Sequence, residues 1–263
     1  MNLSDLTPVE NHNGIWVKRD DLFEVCGVRG GKARSAYQLI QQYVSKGYTK
    51  FATAGSKDSP QCEIVSCICE ELGLDCYLFM NGVNLDKPTS VIETIQRNSH
   101  STLMLDSNWK YSNVIIYHCK QYCAEHPDTI YIPFGLECAE NVAVTSMQVQ
   151  NIPTKVNRII IPVGSGMMFS SVAYGLAKYK IDIPILGVQV GKDPRKTIQK
   201  YYPMFKFSRH KLIEAESPYN VYEDAWIDDI QLDPVYEAKC IDFVDYGDLL
   251  WIVGKRLIEN NNS

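Results

Sequence analysis

Short runs rich in β-branched and aromatic residues recur along the chain, separated by stretches with apolar residues at helical spacing. The runs are GIWVKR (14–19), KFATAG (50–55), CYLFM (76–80), STLML (101–105), TIYIP (129–133), RIIIPVG (158–164), PILGVQV (184–190) and LLWIVG (249–254). Each has the length and residue types of a strand. Between them, Ala36, Leu39, Ile40, Tyr43 and Val44 share one helical face that stops near Gly47, and Ile64, Ile68 and Leu72 do the same before Gly73. Both glycines are expected as helix C-caps. Strands alternating with helices in this way predict an α/β fold with parallel-rich sheets. There is no internal repeat, no Pro/Gly linker, and no low-complexity tract besides the terminal NNNS. A second domain is therefore expected to be woven into the first rather than strung after it.

Composition narrows the function classes. The chain has 263 residues, of which 45% are hydrophobic and 22% charged, the balance of a globular protein. A net charge of -5 is the wrong sign for binding phosphate backbones by counterion release, so nucleic acid enters only as the carrier of a modified-nucleotide substrate. The start, MNLSDLTPVENHNG, lacks a basic segment followed by an apolar one, and no apolar run approaches the roughly 20 residues of a membrane span. A cytoplasmic protein without membrane contact is expected. Nine cysteines, an odd number, fit reduced thiols better than a disulfide framework.

Five segments carry candidate chemistry. GVRGGKAR places Lys32 after two glycines at the start of a helix, where the partial positive charge of the helix end disfavours a second cation. It departs from a phosphate-binding Walker loop at Cys26 and Ala33, and a merely solvated lysine is the alternative. RIIIPVGSGMMF follows a strand with Gly164, Ser165 and Gly166 at a helix N-terminus, an arrangement that binds phosphate or simply turns the chain. In TAGSKDSPQC (53–62), Ser59 and Gln61 could meet a carboxylate, or Ser59 followed by Pro60 could be an ordinary helix start. LDPVYEAK (232–239), with Tyr219 upstream, offers Tyr236 and Glu237 as acid, base or charge partner, or as the start of a surface helix. Cys119, Cys123 and His126 fall on one helical face, but no second pair of zinc ligands accompanies them, so no metal is expected.

Taken in order, TPVE (7–10), VKRDDLF (17–23), GGKAR (30–34), AGSKDSPQ (54–61), IPFG (132–135), VGSG (163–166) and DPVYEAK (233–239) resemble the fold type II, tryptophan synthase beta-like, pyridoxal phosphate enzymes. Within them the resemblance is to the branch of 1-aminocyclopropane-1-carboxylate deaminase and D-cysteine desulfhydrase, collinear over nearly the whole chain. It implies a two-domain architecture with pyridoxal 5′-phosphate in the interdomain cleft. Residues 1–45 plus 145–263 would form the large cofactor-binding domain and residues 46–144 the smaller α/β domain. The resemblance further implies that Lys32 forms the internal aldimine and that Gly164, Ser165, Gly166, Met167 and Met168 hold the phosphate. Glu237 would pair with the pyridine nitrogen, Ser59 and Gln61 would meet the substrate carboxylate, and Tyr236 and Tyr219 would line the substrate side. The implied activity is that of a lyase or deaminase acting on an α-amino acid, in a homodimer.

Two positions depart from the family pattern. Asparagine usually precedes the lysine and follows the loop serine; here those places hold Gly31 and Pro60, neither of which donates a side-chain hydrogen bond. A more open pocket would follow, which raises an alternative reading: a decarboxylase or lyase acting on an aminoacyl group attached to a larger molecule such as a modified nucleotide. A non-catalytic binding or assembly protein with the same fold is the third.

Overall fold

The computed structural model describes residues 2–254, so the terminal NNNS lies outside the described residues. Contacts divide the chain into two units, one spanning Glu24–Asn141 and the other combining Asn2–Phe23 with the chain from Val142 onward. The strands in chain order are β1 (Val9–His12), β2 (Ile15–Arg19), β3 (Glu24–Val25), β4 (Val28–Arg29), β5 (Lys50–Ser56), β6 (Asp75–Asn81) and β7 (Ser101–Met104). They continue with β8 (Thr129–Tyr131), β9 (Ile159–Val163), β10 (Ile185–Gln189), β11 (Lys211–Glu214), β12 (Trp226–Ile227), β13 (Ile230–Gln231) and β14 (Leu249–Ile252). The helices are α1 (Gly31–Val44), α2 (Pro60–Leu72), α3 (Ser90–Arg97), α4 (Ser112–Glu125), α5 (Ala139–Ser146), α6 (Met167–Lys178) and α7 (Arg195–Tyr201). All eight strands expected from the hydrophobic runs are present, and the sheets are parallel-rich, as the alternation predicts.

In the unit containing both chain ends, a six-stranded sheet runs β1-β2-β14-β9-β10-β11, parallel except for the β1–β2 hairpin. Every residue of β9 is buried, because both faces of the sheet are covered. Phe169, Val172 and Leu176 of α6 pack with Trp251 on one face, and Leu232, Ala238 and Leu250 on the other. Pro162, in a central strand, needs an explanation, since proline cannot donate to a ladder. Leu249 donates to the Arg158 carbonyl and Ile159 to the Pro184 carbonyl, so even-numbered residues of β9 face β14. Pairing with β14 ends at Ile160, and Pro162 points its missing N–H past the end of that ladder. The strand is thereby released into the Gly164 turn.

The N-terminal motifs of this unit form a buried polar network. The Lys18 ammonium donates to the Thr7 carbonyl (2.8 Å) and Asn151 Oδ1 (2.7 Å). Thr7 N donates to Gln148 Oε1 at 3.0 Å, and its hydroxyl lies 3.3 Å from Asp20 Oδ1. TPVE and VKRDD are thus structural: they fasten residues 7–20 to the helical turns before β9.

In the other unit, four parallel strands run β7-β6-β5-β8, with α2 and α4 packed against them. The two units differ from the expected division. The large domain was expected to include residues 1–45, but the boundary falls between Phe23 and Glu24, and α1 groups with the four-stranded sheet. The reason is packing: α1 buries Ala33, Ala36, Leu39 and Ile40, and its neighbour is α2. A second correction concerns Gly47. Helix α1 ends at Val44 with Ser45 at its C-cap, and Gly47, at φ +89°, completes a further turn by donating to the Val44 carbonyl. Gly73 does cap α2, at φ 65° and ψ 39°. Among the described residues, no helix is long and apolar enough to cross a membrane, and no cluster of three or more His, Cys, Asp or Glu could hold a metal. His126 stacks on Tyr122 (centroids 4.1 Å apart) instead of completing a ligand set with Cys119 and Cys123.

Candidate active site

Lys32 owes its place to the two glycines before it. Gly30 sits at φ 97° and ψ 173°, open only to glycine, and α1 begins at Gly31, so Lys32 occupies the first turn, half-buried. One turn on, the Ser35 hydroxyl lies against the Gly31 carbonyl (3.1 Å) and Asn141 Oδ1 (2.9 Å), while Asn141 Nδ2 donates to the Leu136 carbonyl (3.1 Å). These buried bonds fix the start of α1. Asn141 and Ser35 carry no motif, so the sequence did not single them out.

In the same unit, the loop after β5 leads into α2. Ser59 is its N-cap, with Pro60 in the first turn, so the ordinary helix start is realised: Cys62 N donates to Ser59 Oγ at 3.4 Å. A side chain at Gly55 would place its Cβ 2.4 Å from Ser59 Oγ, so glycine there lets Ser59 sit against the strand. Burial pushes the Cys62 thiol up to about 12, while hydrogen bonding with Ser59 and the charge of Lys32 pull the other way. Lys32 in α1 and Ser59 at the start of α2 thus stand on neighbouring helices of one unit.

Gln61 is placed differently from the carboxylate-binding role implied for it. It is 3% exposed, and its Nε2 donates to Thr53 Oγ1 (2.8 Å) and the Pro133 carbonyl (2.9 Å), spending both amide protons on the protein itself. Thr53 in turn donates to the Ile132 carbonyl at 3.1 Å. Gln61 therefore ties α2 and β5 to the IPFG turn. Gln61→Ala is expected to cost about 2 kcal/mol by stranding these partners and to lower Tm by roughly 4–8 °C, with KM changed little. A raised KM at unchanged Tm would instead return Gln61 to the substrate.

The second group of residues lies in the unit of the six-stranded sheet. After β9, Gly164–Ser165–Gly166 turn into α6 with Gly166 at φ 92°; a Cβ there would come 3.0 Å from Ile198 Cγ1 and 3.1 Å from Pro194. Only glycine fits. Gly166, the N-cap, offers no side chain to the first turn, and the Ser165 hydroxyl accepts from Met167 N at 3.4 Å. Main-chain amides of Met167 and Met168 at such a helix start suit an anion such as phosphate. A Cβ at Gly164 would lie 3.1 Å from Tyr236 Oη, so the tyrosine hydroxyl borders this loop. Tyr236 is oriented by Asp233, whose Oδ1 accepts from Val235 N (2.9 Å) and Tyr236 N (3.0 Å). Tyr219 packs edge-on against it, with centroids 6.0 Å apart.

Glu237 is 1% exposed and accepts the Val253 N–H at 2.7 Å. Burial, reinforced by the Asp233 charge, holds its carboxyl well above the usual carboxylate range, against the pull of the Val253 amide. A buried acid of this kind suits a basic ring nitrogen as partner. The linkage sign follows: with the folded value raised, its contribution to stability is present below the unfolded value of about 4.3 and is lost as pH rises through the folded one. Without added cofactor, stability is expected to fall from about pH 5 to pH 8 more steeply in the wild type than in Glu237→Gln. Equal slopes in thermal melts would count against it.

Sequence reasoning also missed Lys239. Its ammonium, in a side chain 1% exposed, makes three bonds of 2.7 Å, to Ser217 Oγ and the Pro218 and Val221 carbonyls. It anchors the segment that carries Tyr219. Its signal was its place at the end of DPVYEAK, overshadowed by Tyr236 and Glu237.

One unit thus holds a glycine-framed helix start bordered by Tyr236, and the other a half-buried lysine at a glycine-opened helix start. The chain belongs to the pyridoxal-phosphate dependent enzyme family, whose profile matches residues 2–239. Its relatives narrow the branch. It is 20% identical over 268 residues to a Pyrococcus abyssi protein provisionally named 1-aminocyclopropane-1-carboxylate deaminase, covering 89% of this chain and 81% of that one. It is 24% identical over 193 residues to the O-seryl-dTMP PLP-dependent decarboxylase of Salmonella phage ViI, covering 65% of this chain but only 45% of that protein. Among solved structures, an ACC deaminase homologue superposes with a TM-score of 0.77 at 18% identity, covering 95% of this chain and 89% of the other.

Proposed function

We propose that the protein is a pyridoxal phosphate-dependent lyase or deaminase acting on an α-amino acid or close analogue. The observation that carries this reading is Lys32 at a glycine-opened helix start, in the same unit as Ser59, which caps the neighbouring helix α2. Lys32 would hold the cofactor covalently; the amides of Met167 and Met168 with Ser165 would hold its phosphate, and Glu237 its ring nitrogen. When bound, the cofactor supplies an electron-withdrawing ring that takes up negative charge from the substrate α-carbon. The chain's part is to bind, orient and move protons. Exposed amides at the loop before α2 suit a substrate carboxylate, and the Lys32 amine or Ser59 hydroxyl would move a proton at the α-carbon. Tyr236 and Tyr219 would border the substrate. Breakage of a bond at that carbon, followed by tautomerisation of the released enamine to an imine and its hydrolysis by water, would give ammonia and a keto acid. A cytoplasmic homodimer belongs to the same reading, and size-exclusion chromatography with light scattering would measure its mass.

The test is an absorbance spectrum with added pyridoxal phosphate before and after borohydride, with peptide mapping and an assay for ammonia and keto acid. A visible band lost on reduction, label on Lys32 and keto acid formation support the reading. No band and no label would overturn it in favour of a binding or assembly protein.

A second reading, decarboxylation or lysis of an aminoacyl group on a modified nucleotide, is favoured by the phage relative that acts on O-seryl-dTMP and by Pro60 in place of a hydrogen-bonding side chain. Carbon dioxide released from a seryl nucleotide, with no keto acid from free amino acids, would select it.

A further inference from the structure

A cleft of about 720 Å³ opens at the carboxyl ends of β5, β6 and β7, within the unit that carries Lys32 and Ser59. None of the residues placed at the chemistry above lines it, and it offers far more room than a free amino acid needs. Carboxyl ends of parallel strands are where open sheets bind ligands, because the loops that follow converge there. Here those loops bring Lys57 and Asp58 after β5, Gly82 after β6, and Leu105, Trp109 and Lys110 after β7.

Resting on the reading that the amino acid end of the substrate meets Ser59, we propose that this cleft is a second binding site, taking the phosphate-and-ring portion of a mononucleotide joined to that amino acid. The cations come first. Lys57 and Lys110 are exposed and form no ion pair among the described residues, so their ammonium groups remain available to a phosphate. Lys57 is held by its backbone: its N donates to the Asn81 carbonyl (3.0 Å), and its own carbonyl accepts from Thr89 Oγ1 (2.9 Å). Its stem crosses Gly82, where a Cβ would stand 3.9 Å from the lysine Cγ and Cδ. The charge is therefore carried at the cleft on a fixed main chain.

Part of the lining wall is apolar and stiff. Leu105 is 39% exposed, a large apolar side chain facing water. Trp109, also in the lining, stacks on Phe79 (5.6 Å, 26°) and on His118 (5.0 Å, 22°), which fixes its ring. A flat, partly apolar body suits that wall. Two carboxylates complete the lining. Asp106 Oδ1 is engaged by Asn108 N at 2.8 Å, whereas Asp58 is exposed next to Ser59. A lining of two lysines and two aspartates disfavours a polyanion and favours a ligand with a single phosphate and hydroxyl or N–H donors. A mononucleotide has that make-up. Because Asp58 adjoins Ser59, one loop would serve both halves of such a substrate.

The test is isothermal titration of the cofactor-loaded protein with thymidine 5′-monophosphate, thymidine and inorganic phosphate, repeated on K57A/K110A and on Leu105→Asp. The nucleotide is expected to bind more tightly than either fragment, and each variant to weaken it about tenfold, or about 1.4 kcal/mol, with cofactor absorbance and thermal melts unchanged. Absence of nucleotide binding, equal affinity for inorganic phosphate, or affinity unchanged in K57A/K110A would overturn the proposal. The two levels separate cleanly. Nucleotide binding without a cofactor band would keep the cleft and remove the reading of the reaction; a cofactor band with keto acid formation but no nucleotide binding would do the reverse.

Discussion

Lys32→Ala is expected to yield a folded protein with turnover reduced at least about a thousandfold, because in the proposed reading Lys32 is the nucleophile that holds the cofactor and its neighbours offer no substitute. Ser59 is tied to Cys62 N as a helix cap, and the Cys62 thiol is held neutral by burial, pushed up to about 12. Stability should change little. Lys32 is only half-buried, and buried bonds of Ser35 and Asn141 fix the start of α1. Two measurements check this together: steady-state rates on the substrate of the wild type, and mass mapping after borohydride in the presence of pyridoxal phosphate. Loss of rate with loss of the reduced adduct is the expected pair. Full turnover with an unchanged cofactor spectrum would show that the chemistry runs elsewhere.

Lys239→Met is expected to damage stability and activity at once. The wild-type ammonium spends all three protons on Ser217 Oγ and the Pro218 and Val221 carbonyls, with Glu223 at 3.8 Å. Removing it leaves these three acceptors without their donor, a loss of about 1–3 kcal/mol. The segment 217–223 would loosen, and Tyr219 would lose its position against Tyr236. In the proposed reading Tyr219 borders the substrate, and misplacing such a group by about 1 Å can cost on the order of a hundredfold in rate. Hydrogen exchange should rise across residues 217–223 while the Gly164 turn stays protected. Lys239→Arg should not rescue, since a planar guanidinium cannot present three protons in the directions of an ammonium. Wild-type exchange in that segment with lowered activity would recast Lys239 as a catalytic group.

What could be read from the sequence follows from the range over which each signal acts. The buried strands are short apolar runs, and the cap at Gly73 and the start at Ser59–Pro60 are set by neighbours a few residues away, so they were legible. Strand β1, Val9–His12, has no buried residue to announce it and exists because it pairs with β2. The unit boundary was misplaced because the motif GGKAR marks chemistry, whereas the grouping of α1 is decided by packing on α2. Gln61 was read toward a substrate because its partners, Thr53 and the Pro133 carbonyl, meet it only in the fold, the latter 72 residues away. The glycine turn, Tyr236 and Glu237 were picked out by residue type, but the Asp233 bonds that orient Tyr236 were not.

The position of β14 has a consequence for how the chain is made. Residues 249–252 insert between β2 and β9, pairing with both, so β2 waits for a strand synthesised long after it. Residues 24–141, by contrast, are contiguous and complete their four-stranded sheet without help from either end. During synthesis, at about 5–20 residues per second, this middle segment is poised to fold first, while β2 remains a nascent strand with an open edge. A chaperone that binds the emerging chain would therefore have its main task at the N-terminal segment, and a translation stop just before Leu249 would release a protein whose middle is native and whose ends are not.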